Sequence, residues 1–254
     1  MMNRGCFFRC ILAAFVSLIM IQSNAYASKE QVYKVIDTED LLQIMESESK
    51  NYLVIDARNP EEYEDVHITK AVNIPEKKFN DYLGILPENR DVNLVFYCNG
   101  VKCGKSKRAA KKAAMLKYRN IFVYAEGMPV WEEYGLPKFT GPNYEIKIET
   151  AKISPKELNA LINSKKNDFT IVDVRDLSEY NEGHIPGSIN IPVASFAAKS
   201  GELDKKHKII VYCNAGNRSY KAYRKLMKLA YKKHYQTLYA DWKTAGYQII
   251  SFHP

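Results

Sequence analysis

The side chains best suited to covalent chemistry in this sequence are cysteines. In Cys213-Asn214-Ala215-Gly216-Asn217-Arg218-Ser219 a thiol closes an apolar, β-branched run, and a helix-forming run follows. A turn from strand into helix aims successive backbone N–H groups inward, and the helix N-terminus adds partial positive charge. Arg218 brings a full charge and a planar donor fork suited to oxyanions, while Gly216 permits the positive φ that so tight a loop needs. A cysteine so placed favours thiolate, the nucleophilic form. The competing reading, a small buried hydrophobe at a strand end, suits Gly216 and Arg218 less well.

Cys98-Asn99-Gly100-Val101-Lys102-Cys103-Gly104-Lys105-Ser106 is a second loop of this kind, two residues longer when Ser106 is set opposite Ser219. Lys105 then stands where Arg218 stands, a point charge without the bidentate fork. Four residues separate Cys98 from Cys103, a spacing that could bring two sulfurs within disulfide range across a tight turn. A frame starting at Cys103 places Arg108 five residues on; Cys103 does not end the strand, and that frame is set aside. Three cysteines divided between two parts of the chain make no metal-ligand set of usual spacing. With no nucleotide-binding fingerprint either, no metal and no cofactor are expected.

The elements that position these loops occur twice. Val54-Ile55-Asp56-Ala57-Arg58 recurs as Ile171-Val172-Asp173-Val174-Arg175. Glu62-Tyr63, His67-Ile68 and Asn73-Ile74-Pro75 recur as Glu179-Tyr180, His184-Ile185 and Asn190-Ile191-Pro192, all at an offset of 117 residues. Cys98 and Cys213 follow at an offset of 115, and Trp131 and Trp242 at 111. Solenoid periods are about 20–50 residues, so two copies of this length read as two domains of one fold. In the second copy Ser154-Pro155-Lys156-Glu157 is a capping box opening a helix through Ile162. Strands are expected over Phe169 to Val174 and Lys208 to Tyr212, and a helix from Arg218 to Tyr231. The first copy predicts helix Glu39 to Met45, strand Tyr52 to Asp56, strand Val92 to Tyr97 and helix Lys105 to Leu116. Strands alternating with helices imply an α/β fold, each domain a mainly parallel sheet flanked by helices. The expected limits are 28–136 and 150–254, joined by a linker at 137–149.

Residues 1–27 read as a signal peptide. Arg4 and Arg9 form a basic start, Cys10 to Ile21 is apolar apart from Ser17, and Ala25-Tyr26-Ala27 is a cleavage site. The apolar run is short of the ~20 residues a spanning helix needs, so no membrane span is expected after cleavage. The expectation is an exported protein, periplasmic in a Gram-negative bacterium. Cleavage would remove Cys6 and Cys10 and leave 35 basic against 29 acidic residues, a net charge of +6. It would also leave three cysteines, an odd number that cannot all pair within one chain. The basic stretch Lys221 to Lys233, interleaved with Tyr223 and Leu226, reads as a solvated helix face over an apolar stripe rather than a nucleic-acid surface.

Asp173-Val174-Arg175, Glu179-Tyr180, the run Gly183 to Pro192 and Cys213-x-x-Gly216-x-Arg218-Ser219 together resemble the rhodanese (thiosulfate sulfurtransferase-like) family, in both copies. The resemblance implies tandem domains in which a loop cysteine takes sulfane sulfur from thiosulfate, polysulfide or a persulfide. It holds the sulfur as a cysteine persulfide and passes it to cyanide or to a thiol, including that of an acceptor protein. It implies Cys213 and Cys98 as catalytic residues, with Asn214, Gly216, Arg218 and Ser219 binding the anion. Gly100, Lys105 and Ser106 would do so in the first loop. Asp56, Arg58, Asp173 and Arg175 are implied as structural supports of the loops, and His184 as part of a packing turn outside the site. Cys103 is a candidate resolving thiol for a persulfide on Cys98, or half of a dithiol that cycles with a disulfide; a static disulfide is the alternative. Glu126 to Trp131 follows the family's glycine-rich turn, whereas Tyr239-Ala240-Asp241-Trp242 is shorter and lacks the glycine, which predicts wider access to Cys213. The competing functions are a thiol–disulfide oxidoreductase built on Cys98 and Cys103, and a non-catalytic module binding an anion or a thiol.

Overall fold

The strands form where apolar, β-branched residues run without polar interruption, and helices begin where a capping residue follows a strand. The computed structural model describes residues 31–252 apart from Lys165; the segment read as a signal peptide lies outside them. The first repeat runs β1 (Lys34–Ile36), α1 (Thr38–Glu46), β2 (Tyr52–Asp56), α2 (Pro60–Asp65), β3 (Val66–Ile68), β4 (Val72–Asn73), β5 (Asn93–Tyr97), α3 (Lys105–Met115), β6 (Asn120–Tyr124), α4 (Gly127–Glu133) and β7 (Lys138–Thr140). The second runs α5 (Pro155–Asn163), β8 (Phe169–Asp173), α6 (Leu177–Glu182), β9 (Ser188–Asn190), α7 (Phe196–Lys199), β10 (Lys208–Cys213), α8 (Asn217–Lys228), β11 (His234–Leu238) and α9 (Tyr239–Thr244).

Each repeat is a parallel sheet with helices on both faces, the expected architecture. The first sheet has the order β1-β6-β5-β2-β4 and the second β11-β10-β8-β9. The second repeat's counterpart to β1 is reduced to a single bridge between Lys152 and Gln236. Along β10, Ile209, Val211 and Cys213 enter the core under α8, while Ile210 and Tyr212 enter the core on the other face with Trp242. β5 divides in the same way: Leu94 and Phe96 pack toward α3, Val95 and Tyr97 toward Trp131. That two-sided burial is why these strands lack the alternation of a half-exposed sheet. The capping box before α5 forms, with Glu157 N–H donating to Ser154 Oγ (3.2 Å) and Ser154 N–H to Glu157 Oε2 (2.9 Å).

The stretch read as linker is ordered in part. Lys138–Thr140 forms β7, antiparallel to β3. There Phe139 stacks on the His67 ring (4.8 Å), which itself stacks on Tyr63 (3.8 Å). The second repeat ends alike: Ile250 bridges His184, and Phe252 stacks on His184 (5.0 Å), which stacks on Tyr180 (3.9 Å). His184 Nδ1 also hydrogen-bonds the Tyr180 carbonyl (2.8 Å), so its ring belongs to this packed corner. From Val32 onward the chain is one compact unit. Much of the join between repeats is electrostatic. Glu133, at the end of α4, accepts N–H bonds from Ala197 (2.9 Å) and Ala198 (3.1 Å) and pairs with Lys225, while Glu132 pairs with Lys228 (3.0 Å). Among the described residues no helix is long and apolar enough to cross a membrane.

An ion pair is sealed beneath each loop. Arg175 donates through Nε to Asp173 Oδ1 (2.9 Å), through Nη2 to Asp173 Oδ2 (2.5 Å) and through Nη2 again to the Gly183 carbonyl (2.7 Å). Arg58 repeats this with Asp56 and the Val66 carbonyl, both at 2.6 Å. Removing one partner strands a buried charge, so Asp173→Ala is expected to cost about 3–5 kcal/mol of stability, read from the urea midpoint. Replacing both residues, Asp173→Leu with Arg175→Met, should cost less than the single change. An equal or larger loss would show that the stranded charge is not the cause.

Candidate functional site

Both strand-end cysteines sit where a central parallel strand gives way to a helix, the usual place for a site in such a sheet. Cys213 closes β10 and is 2% exposed. Its sulfur accepts N–H bonds from Gly216 (3.1 Å) and Ser219 (3.3 Å), and Ser219 Oγ lies 3.3 Å away. The turn closes because Gly216 adopts φ +100°, which an L-residue rarely takes. Gln236 on β11 holds the turn's shape, donating through Nε2 to the Gly216 carbonyl (2.8 Å) and to Ser219 Oγ (2.7 Å). Nothing in the local pattern marks Gln236; it is a single polar residue in a short strand, and its role emerges when β11 pairs with β10.

Arg218 does not reach into the cradle unaccompanied. Its Nη2 donates to Glu179 Oε1 (2.8 Å), and its Nη1 reaches Glu179 Oε2 and Asp176 Oδ2 (3.4 Å). That guanidinium holds the Glu179 carboxyl below the usual carboxylate range. Lys105 is held by the corresponding carboxylate, Glu62, through a single bond (2.7 Å). Burial pushes the Glu62 carboxyl up, but hydrogen bonds from Lys105 and Asn99 outweigh it and leave it low. The common offset of Glu62 and Glu179 was the available signal for this pairing. Asn214 is exposed, whereas its counterpart Asn99 is buried, donating to Glu62 and accepting from Arg58 Nη1 (3.5 Å).

The first loop is wired differently. Cys98 is 1% exposed; its Sγ lies 3.2 Å from Ser106 Oγ and donates to the Cys103 carbonyl (3.5 Å). The two added residues fold back as a turn, Cys103 N–H donating to the Gly100 carbonyl (2.8 Å), with Gly100 at φ +100°. Both thiols are free. The neighbouring Cys98 thiol lowers Cys103 to about 6, against burial and with help from the backbone of Lys105 and Asn99 and the Lys105 charge. The Cys103 thiol in turn, together with burial, pushes Cys98 well above the ordinary thiol range. Of the first loop's predicted anion-binding residues, Ser106 thus reaches the Cys98 sulfur and Gly100 the Cys103 N–H, while the Lys105 ammonium is turned to Glu62.

The mouths differ too. In the first repeat Met128 N–H donates to the Cys98 carbonyl (2.9 Å), and a Cβ added to Gly127 would sit 2.2 Å from that oxygen, so glycine lets the wall touch the loop. In the second repeat Ala240 N–H reaches the Asn214 carbonyl at 3.4 Å. The Cys98 loop backs onto a cleft of roughly 440 Å³, lined by Gly100, Val101 and Lys102 and, from the second repeat, Gly201, Lys205 and Leu229. The Cys213 loop borders an open hollow of about 1240 Å³ lined by Ala215, Gly216, Tyr220, Gln236 and Asp241. Among the described residues no cluster of three or more His, Cys, Asp or Glu side chains could hold a metal ion.

Residues 37–134 and 154–245, about three quarters of the chain, match the family described as "Rhodanese-like domain". With two such matches and two strand-end cysteine loops, the chain belongs to this family as a tandem member. It is similar to a putative sulfur carrier protein, YrkF, of Bacillus subtilis, 38% identical over 65 residues, which is 26% of this chain and 35% of that protein. It is similar to a tRNA uridine(34) hydroxylase of Photorhabdus laumondii, 30% identical over 135 residues, 48% of this chain and 34% of that protein. A thiosulfate:glutathione sulfurtransferase of Saccharomyces cerevisiae is 30% identical over 108 residues, 38% of this chain and 76% of that protein. The chain spans about a third or less of the length of the first curated relatives it matches.

The thiol pair has a pH signature. Brief iodoacetamide treatment of the reduced chain should alkylate Cys103 in preference to Cys98 at pH 7, the Cys103 rate rising through pH ~6 as its thiolate forms. Peptide mapping by mass spectrometry reads both sites. Faster labelling of Cys98 than of Cys103 would contradict the arrangement.

Proposed function

We propose that the chain is an exported sulfurtransferase in which Cys213 carries sulfane sulfur between a small donor anion and a thiol acceptor. The observation that carries this reading is the pair of backbone N–H groups, from Gly216 and Ser219, directed at the Cys213 sulfur. Donors fixed in that way stabilise negative charge on sulfur without reorganising, whether on the thiolate or on the persulfide that replaces it. The thiolate attacks the outer sulfur of thiosulfate. The sulfur–sulfur bond breaks, sulfite departs with the electron pair, and the sulfane sulfur remains on Cys213. An acceptor thiolate or cyanide then attacks that outer sulfur and returns Cys213 as thiolate. Arg218, charge-balanced by Glu179, stands at the loop's entrance to draw in the anion.

Polysulfide and protein persulfides fit the same chemistry as donors. The open hollow beside Gly216 supports an acceptor larger than cyanide, such as a protein thiol. The names of the relatives span a sulfurtransferase, a sulfur carrier and a hydroxylase, so the loop chemistry carries the proposal more than any one relative. Export rests on the basic start, apolar run and Ala25-Tyr26-Ala27 of the first residues.

Reduced chain treated with thiosulfate should gain one sulfur atom on Cys213 and release sulfite in equal amount, both lost in Cys213→Ser. Gln236→Ala frees the Gly216 carbonyl and the Ser219 hydroxyl, and should slow sulfur loading at Cys213 by about tenfold, the worth of one hydrogen bond. Absence of any sulfur on Cys213 would end the sulfurtransferase reading; sulfur on Cys213 that no thiol or cyanide removes would leave a binding module.

A further inference from the structure

Two extra residues have changed the surroundings of the first loop's strand-end sulfur. In the Cys213 loop the inward N–H groups serve the strand-end sulfur. In the Cys98 loop the strand-end sulfur is itself a donor, to the Cys103 carbonyl (3.5 Å), and its other polar neighbour is Ser106 Oγ (3.2 Å). Cys98 lies under the loop, while Cys103 is half-buried on it. A Cβ on Gly104 would lie 2.5 Å from Arg108 Nη1, so the Arg108 guanidinium lies across the residue next to Cys103. Lys205 of the second repeat, tethered through Nζ to the Leu229 carbonyl (2.7 Å), lines the cleft on the same loop's other flank. Arg108 also pairs through Nη2 with Glu76 (3.0 Å). Arg108 thus supplies, from a frame first set aside, the guanidinium that Lys105 lacks.

We propose that Cys103, not the strand-end Cys98, is the attacking thiol of the first domain, and that Cys98 resolves the persulfide formed on it, so that this domain releases sulfide. This rests on the sulfane-sulfur reading of the family loop but assigns the first domain a different product from the second. Cys103 thiolate attacks the outer sulfur of thiosulfate, and sulfite leaves with the bonding pair. The Cys98 thiol, next to it, then attacks the Cys103 sulfur of that persulfide. A Cys98–Cys103 bond forms, the bond to the outer sulfur breaks, and that sulfur leaves with the pair and the Cys98 proton as hydrosulfide. The two thiols have supplied two electrons; two equivalents of an external thiol, or one dithiol, restore them by exchange. The second domain has one cysteine and no resolving partner, and keeps its sulfur until an acceptor arrives.

The test uses the full chain carrying Cys213→Ser, reduced, freed of reductant and mixed with thiosulfate. About one sulfide per chain should appear, the protein should lose two hydrogens in mass, and peptide mapping should show Cys98 joined to Cys103. Adding Cys98→Ser should abolish sulfide and leave one extra sulfur on Cys103. Adding Cys103→Ser instead should slow sulfur uptake by the first loop at least tenfold. Uptake on Cys98 at the parental rate in that last chain would overturn the assignment, as would lasting persulfide without sulfide in the parent. A chain with Cys98→Ser and Cys103→Ser but native Cys213 reports the second domain alone. Sulfur gained there while the first loop stays inert would overturn this inference and leave the sulfurtransferase reading standing. The opposite pattern would do the reverse.

Discussion

The constraint on which the rest depends is the buried Asp–Arg pair at the end of β2 and again of β8. Taking two charges out of water costs several kcal/mol per ion, so such a pair persists where its geometry uses nearly every donor and acceptor. Here it does. Asp173 also accepts the Arg175 backbone N–H (3.0 Å), and Asn190 Nδ2 donates to the carbonyls of both Asp173 (3.1 Å) and Arg175 (2.9 Å). Asn73 performs the same service for Asp56 (3.0 Å) and Arg58 (3.1 Å). The strand end, the edge strand beside it and the corner carrying the histidine are thereby locked together. Arg175 also lies over the Tyr239 ring at 4.0 Å, which ties the first residue of α9 to the same knot.

The cysteine loops are suspended from this frame by a second device. Glu62 and Glu179 are each the third residue of a capped helix, accepting the N–H of Asn59 and of Asp176 (both 3.2 Å). The same carboxylates hold Lys105 and Arg218, the cations at the start of α3 and α8. One carboxylate thus caps one helix and restrains the opening of another. A cation held this way sits near the loop with its charge partly offset, so the field at sulfur comes mainly from oriented N–H groups and the helix terminus. The two loops part at the strand-end sulfur: Cys213 accepts two backbone N–H bonds, whereas Cys98 donates to a carbonyl.

How far this was readable beforehand depended on whether the signal was local. Strand Tyr52–Asp56 and the helix beginning at Lys105 follow from uninterrupted apolar residues and from a turn after them, and the structure has both. The Cys213 loop was legible because Gly216 and Arg218 stand at fixed steps from the thiol. The wiring of the Cys98 loop was not, because two added residues change the path of the backbone, and no spacing rule says which N–H groups then point at which sulfur. Gln236 and Lys205 reach their sites through strand pairing and domain contact, neither encoded nearby. β7 escaped notice because Lys138–Thr140 is too short to show a period; it exists because the exposed edge of β3 and the His67 ring offer a place for it.

The arrangement of the repeats gives the divergence a physical sense. The first loop is closed in by its own α4, with glycine allowing the close approach, and by the second repeat, where Lys102 donates to the Leu203 carbonyl. Under the proposed chemistry a centre enclosed in this way would admit a small anion and leave little room for a protein acceptor, so a sulfur bound there would be discharged from within, by a neighbouring thiol. The second repeat lacks the glycine turn, and its loop borders a broad hollow at Ala215 and Gly216, the side from which the proposed acceptor thiol would approach. Glu133, its side chain 1% exposed and shared between the N–H groups of Ala197 and Ala198 and the Lys225 ammonium, pins the wall that narrows the first repeat's cleft. The contact between the repeats is therefore part of the wall of the candidate site in the first repeat, and under the proposed chemistry what it excludes would matter as much as the sulfurs beside it.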